Sequence, residues 1–132
     1  MAKARPKPPS RVTGMLAHTE LASTDPEATR RFLGQVFGWE FETAKPASRK
    51  LISYQTPGGA RGSIRPTRPE ESPGSINYVL VTNLESSASK VKKWGGEIVL
   101  PRVDVPGMGS FFWFKVPGGP VLACWEDAPG RK

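Results

Sequence analysis

A single cysteine, Cys124, and a single histidine, His18, set the first limits on this 132-residue chain. One cysteine excludes an intrachain disulfide framework and any cluster of cysteine zinc ligands. One histidine excludes every multi-histidine metal site built within a chain. No apolar run approaches the roughly 18–20 residues that a membrane span needs, and no basic, apolar and small-residue succession opens the chain as a secretory signal would. The expectation is a cytoplasmic, disulfide-free protein with no membrane segment. Gly 14 and Pro 14 make up about a fifth of the chain, below the roughly 25–30% that marks low complexity.

The net charge of +7 suggests a polyanion partner until it is mapped. Lys3, Arg5, Lys7 and Arg11 stand in the first 14 residues with no acid, and Arg131 and Lys132 close the chain. All 12 acidic residues fall between 15 and 127, against 13 basic ones. A nucleic-acid-binding domain carries its excess on the folded body. Here it sits in residues 1–14, read as a disordered basic tail, and in a short tail, 128–132. No specific nucleic acid is expected as a partner.

Between the tails the elements come in a repeated order. Met15–Ser23 alternates as a half-buried strand does. Thr24-Asp25-Pro26-Glu27 supplies a helix start, and Gly38 its end. Ala28, Phe32 and Val36, flanked by Leu33 and Phe37, mark the expected apolar face. Trp39–Thr43, Leu51–Thr56 and Ala60–Arg65 read as strands, and Thr67–Gly74 as a linker. The order then restarts: a strand over Ser75–Thr82, then a helix opened by Asn83-Leu84-Glu85 with Leu84, Ala88, Val91 and Trp94 on one face. Gly95-Gly96 ends it, Glu97–Leu100 is a strand, and Ser110–Val116 pairs with Val121–Trp125 as a hairpin. Thr24-Asp25-Pro26-Glu27 lies over Thr82-Asn83-Leu84-Glu85 at an offset of 58, which also places Gly38 over Gly96. An internal repeat constrains a fold more than any one propensity.

His-Thr-Glu-Leu at 18–21, Thr-Asp-Pro-Glu-Ala at 24–28, Arg-Arg-Phe-Leu at 30–33 and Val-Phe-Gly-Trp-Glu-Phe at 36–41 resemble the opening module of the vicinal oxygen chelate superfamily. Asn77–Val81, Lys93–Val99 and Val105–Gly109 are similar to the closing module of its small glyoxalase-like members. That superfamily includes glyoxalase I, bleomycin-resistance proteins, fosfomycin-resistance transferases and extradiol dioxygenases. The repeat and the resemblance together predict an α+β fold. Two βαβββ modules, 15–66 and 75–127 joined by linker 67–74, would form a curved mixed sheet around a concave cavity, with the helices on the outer face. The resemblance covers nearly the whole body and speaks to fold more than to reaction.

In metal-dependent members each module donates ligands from its first and last strands, so the identity of four positions decides metal binding. His18 matches the glyoxalase pattern of a His seven residues before an Asp, here Asp25, and is the one usual ligand retained. Ala60–Arg65 holds no carboxylate, Asn77 falls where a second His is expected, and Ala123 stands where the second Glu usually does. Alternation turns Glu126 away with Leu122 and Cys124. No metal cofactor is expected; a weak divalent site at His18 and Glu20 is the alternative.

His18 and Glu20 share a strand face and are the candidate catalytic or ligand-orienting pair, since a carboxylate beside an imidazole raises its pKa. Trp113 and Trp125 are candidates for ligand contact, with Asn77 and Ala123 completing the expected lining. Trp39 and Trp94 read as packing at helix ends, and Cys124 as core. Two function classes follow. One is a metal-free protein binding a small oxygenated or aromatic molecule, as bleomycin-resistance proteins do. The other is a lactoylglutathione lyase-like or dioxygenase-type enzyme centred on His18 and Glu20. Exposed sheet edges argue for a homodimer in either case.

Overall fold

The computed structural model describes residues 10–43 and 51–130. The parts of the tails at 1–9 and 131–132 lie outside the described residues. Ten elements run in the order β1 (Leu16–Ser23), α1 (Pro26–Phe37), β2 (Glu40–Thr43), β3 (Ile52–Gln55), β4 (Arg61–Pro66), β5 (Gly74–Leu80), α2 (Leu84–Lys93), β6 (Glu97–Val105), β7 (Gly109–Lys115) and β8 (Val121–Asp127). This is βαβββ twice, as the repeat predicts. Among the described residues no helix is long and apolar enough to cross a membrane.

The chain divides into two compact units, one built on His18–Ser75 and the other on Arg11–Ala17 with Ile76 onward. In the first unit β4 pairs in parallel with β1 and antiparallel with β3, which pairs antiparallel with β2. In the second β8 pairs in parallel with β5 and antiparallel with β7, which pairs antiparallel with β6. Both halves are therefore small mixed sheets with the same strand logic.

Each helix begins on a side chain that accepts a backbone N–H left without a partner in the first turn. Asp25 Oδ1 takes the N–H of Ala28, and Asn83 Oδ1 that of Ser86. These are the residues that the 58-residue offset pairs. At the other end the repeat breaks. Gly38 closes α1 in the left-handed region, φ 72, but in the shorter α2 that conformation falls on Gly95, φ 91, one residue before its predicted counterpart Gly96.

The packing faces are partly as expected. Ile52, Tyr54 and Ile64 form the first unit's core, with Leu21, Leu33, Trp39 and Phe41 against it. On α1 it is Leu33 that meets the sheet, while Phe32, Val36 and Phe37 stay exposed. The face that packs is turned from the predicted stripe, and Gly34, beside Leu33, lies against the Phe41 ring. On α2, Leu84, Ala88 and Val91 pack against Phe112, Phe114 and Cys124 as predicted. Trp94 does not join them; it is 76% exposed, whereas Trp39 stacks on Tyr54 at 4.8 Å.

Two further boundaries differ. Residues 11–14, assigned to the tail, belong to the second unit: Arg11 is paired with Asp127 at 2.8 Å, and Gly14 N–H donates to the Leu80 carbonyl. At the far end, the N–H of Ala128 bonds the Met108 carbonyl, tying down the start of the second assigned tail. The strand expected over 97–100 continues to Val105, through Pro101. It does so because among the described residues β6 pairs on one side only, with β7, and absorbs the missing N–H in two register shifts between Ile98 and Val103.

Gly62 is fixed by close approach. Tyr54 lies across it and donates its hydroxyl to the Thr19 carbonyl at 2.9 Å; burial pushes that hydroxyl up to about 12, so it stays a donor. A Cβ on Gly62 would fall 2.1 Å from the Thr19 oxygen and 2.2 Å from the Tyr54 ring. Gly62→Ala is expected to cost about 3 kcal/mol in urea unfolding, the upper end for an overpacked site. Gly58→Ala, at φ 92 in an open turn, should cost about 1 kcal/mol, from backbone strain alone.

Candidate functional site

In each unit the sheet has one face under its helix and one free of it. Period-two alternation and the β1–β4 register, Glu20 opposite Ser63 and Ala22 opposite Arg65, put His18, Glu20, Ser63 and Arg65 together on the helix-free face of the first unit. The Ser63 hydroxyl and His18 Nε2 are hydrogen-bonded at 2.8 Å, the imidazole tautomer deciding which donates. Arg65 Nε donates to Glu20 Oε1 at 2.7 Å, so in the pair expected from β1 His18 is engaged by Ser63 and Glu20 by Arg65.

Arg65 is the residue that sequence reasoning missed. Its Nη1 and Nη2 reach both oxygens of Glu71 at 2.7 and 2.8 Å, and Nη1 also donates to the Pro66 carbonyl. The three charged side chains are 10%, 13% and 15% exposed for Arg65, Glu20 and Glu71. The two carboxylates raise the Arg65 pKa beyond its already high value, although burial alone would lower it. Arg65 stands in the strand noted for having no carboxylate. The cue was its place on the same alternating face, with two unassigned glutamates, Glu70 and Glu71, waiting in the linker.

The matching face of the second unit is aromatic. Ile76, Tyr78, Phe111 and Ala123 are buried together, with Trp113 and Trp125 packed against them. Trp113 Nε1 donates to the Tyr78 hydroxyl at 3.1 Å and Trp125 Nε1 to Asp127 at 2.8 Å. The structure thus brings the predicted Trp113, Ala123 and Trp125 together. It separates Asn77 from them, because Tyr78 is the residue opposite Ala123 and Asn77 alternates to the other face. The 58-residue offset itself places Ile76, not Asn77, over His18.

Glu126 is turned away as predicted, and its carboxylate accepts the N–H of Leu84 at 2.6 Å at the start of α2. Cys124 is core; burial pushes its thiol up to about 11, and nothing beside it favours a thiolate. A pocket of about 250 Å³ at the end of the second unit is lined by Arg102, Asp104, Ser110 and Glu126 among others. Its Asp104 accepts from both Arg102 and Ser110.

The resemblance implies metal ligands on the first and last strands of each module. Positions equivalent by repeat and register hold His18 and Ser63 in the first unit and Ile76 and Ala123 in the second. One imidazole is available, and no group of three or more His, Cys, Asp and Glu is placed to hold an ion among the described residues.

The fold is that of the vicinal oxygen chelate superfamily. A glyoxalase/bleomycin resistance protein/dioxygenase superfamily member from Vibrio splendidus superposes with a TM-score of 0.62 at 16% identity, over 84% of this chain and 97% of that one. Methylmalonyl-CoA epimerase from Mycobacterium tuberculosis gives 0.63 at 14% identity, over 91% and 94%. In sequence the chain is similar to CFP32 of Mycobacterium tuberculosis and Mycobacterium bovis, named as a candidate glyoxylase: 26% identical over 113 residues, 81% of this chain. The chain spans 43% of those relatives' length. No protein-family model matches.

The Arg65 hydrogen bonds hold the Glu71 carboxyl below the usual carboxylate range, outweighing the opposing effect of burial. A lowered folded-state pKa contributes stability that is complete above the unfolded value and lost as pH falls through the folded one. Glu71→Gln is expected to destabilise the protein by about 2 kcal/mol at neutral pH, the difference fading below about pH 4. Urea midpoints at stepped pH measure it; a difference that persists unchanged at about pH 3 refutes the assignment.

Proposed function

We propose that this chain is a glyoxalase/bleomycin-resistance/dioxygenase-like protein that binds a small oxygenated or aromatic molecule, without the full metal set of the metal-dependent members. The observation that carries the reading is the helix-free face of the first unit. Ser63 and Arg65 are polar groups buried on a sheet where apolar residues would stabilise more. Together with His18 and Glu20 they offer donors and acceptors to an oxygenated ligand. The aromatic face of the second unit offers Trp113 and Trp125, rings suited to stacking on a flat molecule. The missing ligands at Ser63, Ile76 and Ala123 favour binding over a metal-centred reaction at His18 and Glu20.

Elemental analysis of protein purified without chelator or affinity metal, with His18→Ala alongside, tests this. Metal is expected to be substoichiometric and unaffected by the substitution, and a co-purified small molecule should bind about tenfold more weakly to Trp113→Leu or Trp125→Leu. Stoichiometric Ni, Zn, Mn or Fe that His18→Ala removes would assign the chain to the enzyme class instead.

The assembly we propose is a homodimer. Phe32, Val36 and Phe37, 61%, 53% and 57% exposed, form an apolar strip on α1, and the sequence relatives are more than twice the length of the matched segment. Light scattering should give about twice 14.4 kDa at tens of micromolar, where a standard interface of roughly 1,200–2,000 Å² persists. Phe37→Asp should return the mass to that of one chain; a wild-type monomer refutes the proposal.

A further inference from the structure

All three nitrogens of the Arg65 guanidinium donate to carboxylates, but the two carboxylates are held differently. Glu20 sits within β1, locked by its register with Ser63. Glu71 sits in the linker, outside any helix or strand, and covers the paired Nη edge. The residue before it, Glu70, has φ 67, a left-handed conformation that a side chain other than glycine holds only where its surroundings impose it. Glu71 Oε1 also accepts the N–H of Arg68, and Glu71 N–H bonds the Arg68 carbonyl. Turn and ion pair are therefore one device: when the carboxylate leaves Arg65, the turn loses what holds it.

We propose that the Nη edge of Arg65 is a seat for the carboxylate of a ligand, and that Glu71 is its resident stand-in, displaced when such a ligand binds. The inference rests on the reading of this face as a ligand site, and names the ligand's class. A bidentate guanidinium edge is the geometry that recognises a free carboxylate. Exchange conserves charge, since one monoanion replaces another beside Glu20, and the departing Glu71 regains its water. A dianion would add a charge next to Glu20 and is disfavoured. His18 and Ser63 stand two residues along β1 and β4 from Glu20 and Arg65 on the same face. They are placed to take a second oxygen of the ligand. The class that fits is a small carboxylic acid bearing a hydroxyl or keto oxygen near its carboxyl group.

Mandelate and its neutral amide, mandelamide, separate the carboxylate from everything else in the probe. Titrated into nitrogen-15-labelled protein, mandelate and not mandelamide should shift the Arg68 amide and speed its hydrogen exchange. Glu71→Gln should bind mandelate at least about tenfold more tightly than the parent, with mandelamide unchanged. Glu71→Asp, too short for the bidentate seat, should show the same gain if Glu71→Gln does not fold. Arg65→Lys, which keeps the charge and loses the fork, should erase the preference for mandelate. If both compounds bind the parent and the Glu71 variants alike and the Arg68 amide is unmoved, the proposal is overturned and the ligand site stands. If neither compound binds the parent or either Glu71 variant, both are overturned.

Discussion

A guanidinium buried on a sheet face is the constraint around which the first unit is arranged. Removing an arginine from water is costly, and the cost is offset only when its donors are met in good geometry. Arg65 meets Glu20 across the β1–β4 pair, Glu71 in the linker and the carbonyl of Pro66 beside it. Each partner comes from a different part of the chain, so one side chain aligns two parallel strands and fixes the path by which the chain leaves the first module. The linker's course from Thr67, whose N–H bonds Ser23, to Glu71 follows from where that carboxylate must sit.

The two modules share a backbone plan and differ in what they do with it. Each closes its last hairpin on Pro-Gly-Gly with the same two hydrogen bonds: Thr56 N–H to the Ala60 carbonyl and Gly59 N–H to that of Thr56, then Val116 to Pro120 and Gly119 to Val116. Here the offset is 60, not 58, since two more residues separate Gly96 from Pro117 than Gly38 from Pro57. By those offsets Glu20 corresponds to Tyr78, Ser63 to Ala123 and Arg65 to Trp125. A salt-bridged polar face in one module is an aromatic cluster in the other. The scaffold repeats; the side chains on the helix-free faces do not.

This division explains what could be read from the chain and what could not. Local chemistry was legible: the helix starts at Asp25 and Asn83, the hairpin of 110–116 with 121–125, and the alternation that turns Glu126 from the site. Interactions between distant segments were not. Arg65 and Glu20 are 45 residues apart, and nothing in either neighbourhood announces a buried pair. The strip of Ala28, Phe32 and Val36 has the spacing of a core face, yet it is Leu33 that packs, with Gly34 beside it against Phe41. Asn77 was placed by family pattern against the chain's own repeat, and the repeat was the better guide to its facing.

The same pairing that completes the fold also limits the chemistry of the site. Glu20 is held by Arg65 and His18 by Ser63, so the face does not present loose polar side chains. What the face offers instead is a set of hydrogen bonds already formed within the protein, and any ligand must compete with them. Groups held by strand register are hard to displace, since moving them means breaking the β1–β4 pairing. A group held by a strained turn is not. The point of exchange is therefore set by the backbone beneath each carboxylate: Glu20 is scaffold, and Glu71, one residue beyond a left-handed glutamate, is the partner that can be given up.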